Sequence, residues 1–346
     1  MKKTAALALL AGVSAFAHAQ SNVTLFGVVD VGVRHVKNGD DAVTSLSSNG
    51  IQTSRLGFRG VEDLGDGLKA GFWLETGLNP DSGTTSDGGR FWNRRSTVSL
   101  LGNFGEVRLG RDTTPSFNGY ADYDVFGTNG VAAGDKFVHK LGTNVDTNVR
   151  ADNLVSYFTP GNIGGFYGQV SAAAGEGSAG KKYYGGRVGF AAGALDVSGS
   201  YGQTEVTPLV GGEDKYELGS IGAAYDFKVA KLSGYVSQVK YADQKLVIAN
   251  IGASVPMGPG ALRASFVNVD ASGTNAAGAS IEDNDARQFA VGYLYDLSKR
   301  TTLYSTVSRV NNKNAAAYAV DSNPALPSAN NGKDSTGFEV GIRHRF

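Results

Sequence analysis

Cysteine is absent from this 346-residue chain, which excludes a disulfide-stapled scaffold. Proline is scarce at eight residues, whereas glycine reaches 49, tyrosine 15 and phenylalanine 17. That mixture favours many short strands joined by tight turns over helices. Beyond the N-terminal segment, no run approaches the ~20 continuous apolar residues that a membrane helix needs. A membrane location therefore demands a closed barrel, because only closure pairs every backbone group in lipid. Net charge is lacking too: the formal charge is zero, and removing Lys2 and Lys3 with a leader leaves −2. This balance gives no footprint for nucleic acid.

The termini carry the first positive signals. Lys2 and Lys3 precede an apolar run from Ala5 to Val13 and the small-residue site Ala17-His18-Ala19. Residues 1–19 read as a signal peptide, so the exported chain begins at Gln20 and residues 20–346 form one domain. That export argues against a cytosolic enzyme. At the other end Phe338, Val340, Ile342, His344 and Phe346 alternate with small or charged residues. A period of two that ends on a C-terminal aromatic marks a strand apolar on one face and wet on the other.

The same alternation recurs along the chain. Leu56 and Phe58 oppose Thr53, Arg55 and Arg59; Leu68, Ala70, Phe72 and Leu74 oppose Lys69, Gly71, Trp73 and Glu75; Val98 and Leu100 oppose Asn93, Arg95, Thr97 and Ser99. Sixteen strands are expected, centred near residues 27, 56, 72, 97, 108, 155, 168, 187, 198, 221, 235, 249, 265, 291, 305 and 341. An even count with both termini on one side is what a single-chain antiparallel transmembrane barrel requires. Turn-forming clusters at Leu64–Gly67, Leu101–Gly105, Thr159–Asn162, Pro256–Gly260 and Asp296–Lys299 alternate with polar insertions near 37–50, 77–91, 112–149, 203–215, 270–286 and 311–335. Short periplasmic turns and long external loops would alternate in this way. Phe158, Tyr225, Phe227, Tyr295 and Phe346, near strand ends, are candidates for an interfacial girdle.

Several motifs in order strongly resemble the general trimeric porins of beta-proteobacteria, a Gram-negative outer-membrane family, and in particular its anion-selective members. They are Val23-Thr-Leu-Phe-Gly-Val-Val-Asp30, Ser54-Arg-Leu-Gly-Phe-Arg-Gly-Val-Glu-Asp-Leu-Gly65, Gly71-Phe-Trp-Leu-Glu75, Phe91-Trp-Asn-Arg-Arg95, Gly105-Glu-Val-Arg-Leu-Gly-Arg111 and the terminal Gly-Ile-Arg-His-Arg-Phe346. The resemblance implies a sixteen-stranded, water-filled barrel that assembles as a homotrimer amid outer-membrane lipid and lipopolysaccharide. It also implies that the C-terminal strand, Phe338 to Phe346, is the signal read by the barrel-insertion machinery. The longest insertion, about 112–149, could by length alone be a mobile surface loop or an inward one. In the resembling porins this third loop folds inward and constricts the channel. Asp122, Asp124 and Asp135 are then its candidate acidic residues, with Tyr120, Tyr123 and Phe126 available to pack it on the wall.

Parity builds the opposite wall. Arg55, Arg95 and Arg150 sit on polar faces of the second, fourth and sixth strands, which run in the same direction. Strands lie ~4.8 Å apart, so alternate strands place each of these guanidiniums within roughly 10 Å of the next around the wall, at broadly similar depth. The resemblance supports these three as the anion-attracting constriction cluster, since the matching positions form it in anion-selective relatives. Arg59, Lys69 and Arg108 are secondary basic lumen candidates, and Arg187 and Arg263 extend the set. Arg94 has the opposite parity to Arg95, which places it above the lipid band or at a subunit contact. An arginine on a lumen face is also simply a solvated residue. Three converging would attract anions, repel cations and weaken in their effect as salt screens them. Arginine suits the task because it stays charged and presents a planar fork.

Other readings have less behind them. His35, His139 and His344 have no metal spacing. A hydrolase could be imagined from His139, Asp135 and a nearby serine such as Ser116, but no nucleophile motif supports it. Gly185-Gly186-Arg187-Val188-Gly189 lacks the helix a phosphate loop needs. A non-conducting adhesin barrel would fill its lumen with bulky apolar side chains, whereas these inward positions read as mostly small, polar or charged. A channel preferring small organic acids or other anions differs from a general pore only in an ordered line of binding side chains, which parity does not reveal. The expectation is a passive, anion-preferring diffusion channel for small hydrophilic solutes, with no cofactor and no energy source.

Overall fold

The computed structural model describes residues 22–209, 212–321 and 331–346, so the expected signal peptide (1–19) and the expected mature start at Gln20 lie outside the described residues. In β1 (Asn22–Asn38) Val23, Leu25, Val29 and Val33 are exposed on one face, while Val28, Asp30 and Arg34 are buried on the other. That period of two gives each strand a lipid-type outer face and an inner face.

β2 (Asp41–Ser48) and β3 (Arg55–Gly65) pair with different halves of β1, Val31–Asn38 and Asn22–Val28 respectively. They form one stave, broken at 49–54. β4 (Leu68–Asn79) carries the two-residue appendage β5 (Thr84–Thr85) and pairs with β6 (Arg95–Gly102). β7 (Gly105–Thr113), β8 (Arg150–Phe158), β9 (Phe166–Ala173), β10 (Lys182–Ala192), β11 (Leu195–Glu205) and β12 (Lys215–Asp226) follow. β13 (Lys231–Tyr241), β14 (Gln244–Met257), β15 (Gly260–Ser272), β16 (Ala286–Asp296), β17 (Thr301–Asn312) and β18 (Ser335–Arg345) complete the sheet. All neighbours are antiparallel, and β18 returns to β1 with Arg345 opposite Val28. The eighteen segments therefore make a closed barrel of sixteen staves, at the sixteen expected centres. No helix among the described residues is long and apolar enough to cross a membrane.

Tight connections such as 66–67, 103–104 and 258–259 lie at the rim that holds both termini, and the long ones lie at the other. The insertion expected at 37–50 is different. Asn38 pairs with Asp41 across a two-residue hairpin in which Gly39 supplies the positive φ of 59°, so polar composition there hid a strand pair. Tyr225, Phe227, Tyr295 and Phe346 are exposed on the outside near the terminal rim. Phe158 is not among them: it shares the parity of buried Leu154 and Ser156 and lies inside, 4.1 Å from the Arg108 guanidinium.

The third loop, 114–149, folds into the barrel. Thr114 caps α1 (Pro115–Ala121) by accepting from the Phe117 amide, with Pro115 in the first turn where its missing N–H is harmless. The helix lies against β10, β11 and β12. Two glycines make this approach feasible: a Cβ at Gly119 would run into Ser200 and Ser220, and one at Gly222 into the Tyr123 ring. Tyr120, Tyr123 and Phe126 are all buried against the wall.

This packing overturns the expectation that inward positions are mostly small or polar. Tyr216, Leu218, Val239, Tyr241, Leu246, Ile248, Val267, Val269 and Val310 point inward and form one apolar core with Tyr120, Val131, Phe137 and Val145 of the loop. At the level of the loop the pattern is inverted: the apolar face of these strands turns inward, while Glu217, Gln238, Lys240, Lys245, Asp270 and Arg309 face outward. The polar lumen is left to β3, β4, β6, β7 and β8 and to the half of the barrel nearer the termini.

Candidate functional site

Cross-strand register places the lumen arginines. Arg55 opposes Gly77, while Gly57, Glu75 and Arg95 form the next inward row. Arg95 therefore sits one two-residue step, ~7 Å, nearer the terminal rim than Arg55. The Arg55 guanidinium approaches Glu75 Oε1 at 3.3 Å and donates through Nε to the Thr53 carbonyl at 2.9 Å. Glu75 is shared: Arg94 Nε lies 2.6 Å from the same oxygen, and Trp73 Nε1 donates to Oε2 at 3.1 Å.

Arg94 thus belongs to the lumen group, contrary to the parity reading. It precedes β6 by one residue and is free of the pleat, so its side chain turns inward over Gly77. Arg150 Nε donates to the Arg94 carbonyl at 3.0 Å, which brings Arg55, Arg94 and Arg150 into one cluster. Arg95 faces a second group instead, 3.6 Å from Asp112, which also holds Arg108 at 2.6 Å. Glu106 holds Arg108 from the other side at 2.8 Å. Arg95 stacks on Trp73 at 4.4 Å, and Arg59 stacks on the same ring at 5.0 Å and on Phe26 at 5.3 Å. Arg59, Trp73, Arg95, Ser99, Glu106 and Arg108 line a recess of about 520 Å³. Lys69 is exposed on the same inward face.

Sequence reasoning missed the partners: Glu75, Trp73, Glu106 and Asp112. Glu75 and Trp73 share parity with Lys69, and that signal was available. What parity does not encode is how a carboxylate divides itself between two arginines.

Several lumen cations have no carboxylate within ion-pair reach among the described residues. Arg150 and Arg59 are two of them. On β15 and β18, Arg263, Arg343 and Arg345 are three more, and the Nε atoms of Arg263 and Arg343 have no protein acceptor. Arg187 differs, being ion-paired to Asp122 of the loop and stacked near Tyr167 at 5.3 Å and Tyr123 at 5.8 Å.

The three loop acids have separate fates. Asp122 is exposed and tied to Arg187. Asp124 is buried and accepts from the Phe126 and Gly134 amides at 2.9 and 2.8 Å. Burial pushes its carboxyl up despite those bonds. Asp135 is pushed up to about 7 by burial and by the Asp124 charge, and its neighbour Lys136 is pushed down by burial. Lys136 moors the loop by donating to Val131 O and Gln288 Oε1, both at 2.9 Å. Gln288 returns a bond to the Ala132 carbonyl at 2.7 Å, and Glu339, paired to Arg34, accepts from the Val131 amide.

The hydrolase residues do not converge. Ser116 Oγ is 3.0 Å from the Tyr183 hydroxyl, and the His139 ring packs on Tyr318 at 4.9 Å. Among the described residues no three metal-type ligands cluster. His344 lies on the outer face, 2.9 Å from Thr301 Oγ1, with Phe338, Val340, Ile342 and Phe346 exposed beside it.

Residues 5–315 match the family described as Gram-negative porin. The chain belongs to that family. Outer membrane porin protein 32 of Delftia acidovorans is 41% identical over 366 residues covering all of both chains. An outer membrane porin protein of Bordetella pertussis is 32% identical, again over the whole of both. The solved anion-selective porin from Comamonas acidovorans is 38% identical with a TM-score of 0.82, covering 94% of this chain and 100% of that one. This porin is an integral outer-membrane β-barrel and a passive channel, and its kinship points to a channel rather than an enzyme. Its termini rim is the periplasmic one by the short-turn rule of such barrels.

Proposed function

We propose that this porin works as a homotrimeric diffusion pore that prefers anions, with Arg55, Arg94, Arg95 and Arg150 setting the preference where the third loop narrows the lumen. The observation that carries this reading is one-sidedness. The loop covers the β10–β17 wall, so solutes pass along β3–β8, where these arginines stand in two tiers. Glu75 and Asp112 neutralise part of that charge, and Arg150 and Arg59 keep theirs uncompensated by any carboxylate in reach. A guanidinium in a narrow, partly dry passage concentrates anions and repels cations. Similarity to an anion-selective porin of known structure supports the same direction. Trimer assembly, insertion through the C-terminal strand, and contact with lipopolysaccharide follow from kinship with this family and are part of the proposal.

The test is planar-bilayer recording under a salt gradient, comparing the unmodified trimer with Arg55→Ala/Arg95→Ala/Arg150→Ala. Loss of anion preference in the triple variant supports the assignment, while an unchanged permeability ratio in a folded, conducting trimer removes these residues from the selectivity set.

A further inference from the structure

The break in the second stave is held by one buried carboxylate. Ser48 opposes Val31 and Arg55 opposes Val28, so β1 spends two residues where the broken stave spends six. Looping out residues 49–54 leaves their amides without ladder partners in a wall backed by lipid, where an unpaired N–H is costly. Asp30 on β1 supplies the partners. Fully buried, it accepts from the Gly50, Ile51 and Gln52 amides at 3.1, 2.9 and 2.8 Å and from the Tyr304 hydroxyl at 2.6 Å. Its backbone joins in: the Asp30 N–H donates to Ser54 Oγ at 3.0 Å, and its carbonyl accepts from the Asn49 amide at 3.0 Å. Asn49 Oδ1 in turn accepts from the Ser54 amide at 2.6 Å, closing the knot.

Two lumen arginines hang from the looped segment. The Thr53 carbonyl takes Arg55 Nε at 2.9 Å, and Gln52 Oε1 takes Arg345 Nε at 2.9 Å. Thr53 Oγ1 donates to Asn129 Oδ1 of the third loop at 2.8 Å, so the same segment ties the loop to the wall. We infer that Asp30 is a positioning residue for ion selectivity: through the knot it fixes Arg55 and Arg345 over the lumen, and Arg345 is a further specificity-determining residue. Asp30 itself touches no solute. Arg345 has no carboxylate in ion-pair reach among the described residues, so its charge is available to a passing anion. A side chain held by a neutral acceptor keeps its position without losing its field, unlike Arg108, which is clamped by two acids.

This inference rests on the reading that Arg55 belongs to the selectivity set, and the experiment separates the two. Reversal potentials are measured for the full-length trimer, Asp30→Asn, Gln52→Leu and the triple arginine variant, with trimer melting in gels as the fold control. Asp30→Asn keeps the volume but replaces an acceptor-only group with one that presents two donors to the amides. Its anion-to-cation permeability ratio is expected to fall roughly two-fold, as two charges lose their fixed places on the lumen wall. Gln52→Leu leaves the carboxylate intact, frees Arg345 alone and is expected to give a smaller fall. If Asp30→Asn fails to assemble, Gln52→Leu decides: a lowered ratio supports the inference and an unchanged one overturns it. If the triple variant loses selectivity while Asp30→Asn and Gln52→Leu keep it at unchanged melting, the knot is only structural and the inference is overturned alone. If the triple variant also keeps its selectivity, the constriction reading fails and the inference falls with it.

Discussion

Arg94 lies one residue before β6, and its inward turn follows from that offset. A pleat assigns sides only within a ladder, and the side chain is free to rotate once pairing has stopped. The same freedom lets Glu75 serve two guanidiniums at once. Glu75 restrains the positive field, which gives a prediction at this scale. Glu75→Gln should raise the anion-to-cation permeability ratio about two-fold by unmasking Arg55 and Arg94. It should also lower trimer stability by about 3 kcal/mol, since it strands two partly buried charges. A reversal potential unchanged in a folded trimer would show that Glu75 does not mask the cluster. The arginines themselves were legible, because Arg55 and Arg95 sit on strands with clean alternation. Their pairing was not, because register and rotamer decide which of several nearby acids each one meets.

The third loop is the element on which passage depends, and its length and position were legible as the span between β7 and β8. Its bed was not. In β13 and β14, Val239, Tyr241, Leu246 and Ile248 are buried inward while Gln238, Lys240 and Lys245 face outward, so the apolar side of the alternation switches to the lumen where the loop lies. An inward face that is apolar over several neighbouring strands marks a wall with something packed against it inside the barrel. Docking of this loop should also respond to pH. The Asp124 and Asp135 carboxyls are raised when docked, so the docked loop holds more protons than a released one between the ordinary value of 3.8 and about 7. Docking therefore weakens as pH rises through that window. Lys136, lowered by burial to about 8, acts in a separate window above that and in the opposite direction. Amide exchange over 124–137, corrected for intrinsic rates, should be slower at about pH 5 than at about pH 7, and Asp135→Asn should flatten the difference. Faster exchange at the lower pH would contradict it.

At the scale of the whole molecule, sixteen staves present one face to lipid and another to water, and both the C-terminal and the first strand show it. Val340 is exposed in the middle of β18, opposite Val33 and Ser305, so it should lie in the hydrocarbon zone. Val340→Lys is expected to cost about 2–4 kcal/mol in vesicle-reconstituted unfolding, whereas the same change at exposed, inward Arg345 should cost far less. Equal costs at the two sites would mean that the faces are misassigned. The barrel was legible because its rhythm is repeated sixteen times, and the break at 49–54 was not, because a polar run reads alike whether it is an external loop or a knot within the wall. Anion preference is tested most simply by the zero-current potential of the unmodified trimer across a tenfold salt gradient, repeated at higher mean salt. An arginine-lined constriction gives a potential whose sign is set by anions and whose size shrinks as the Debye length falls from ~10 Å at 0.1 M to ~3 Å at 1 M. A sign set by cations at low salt would contradict it.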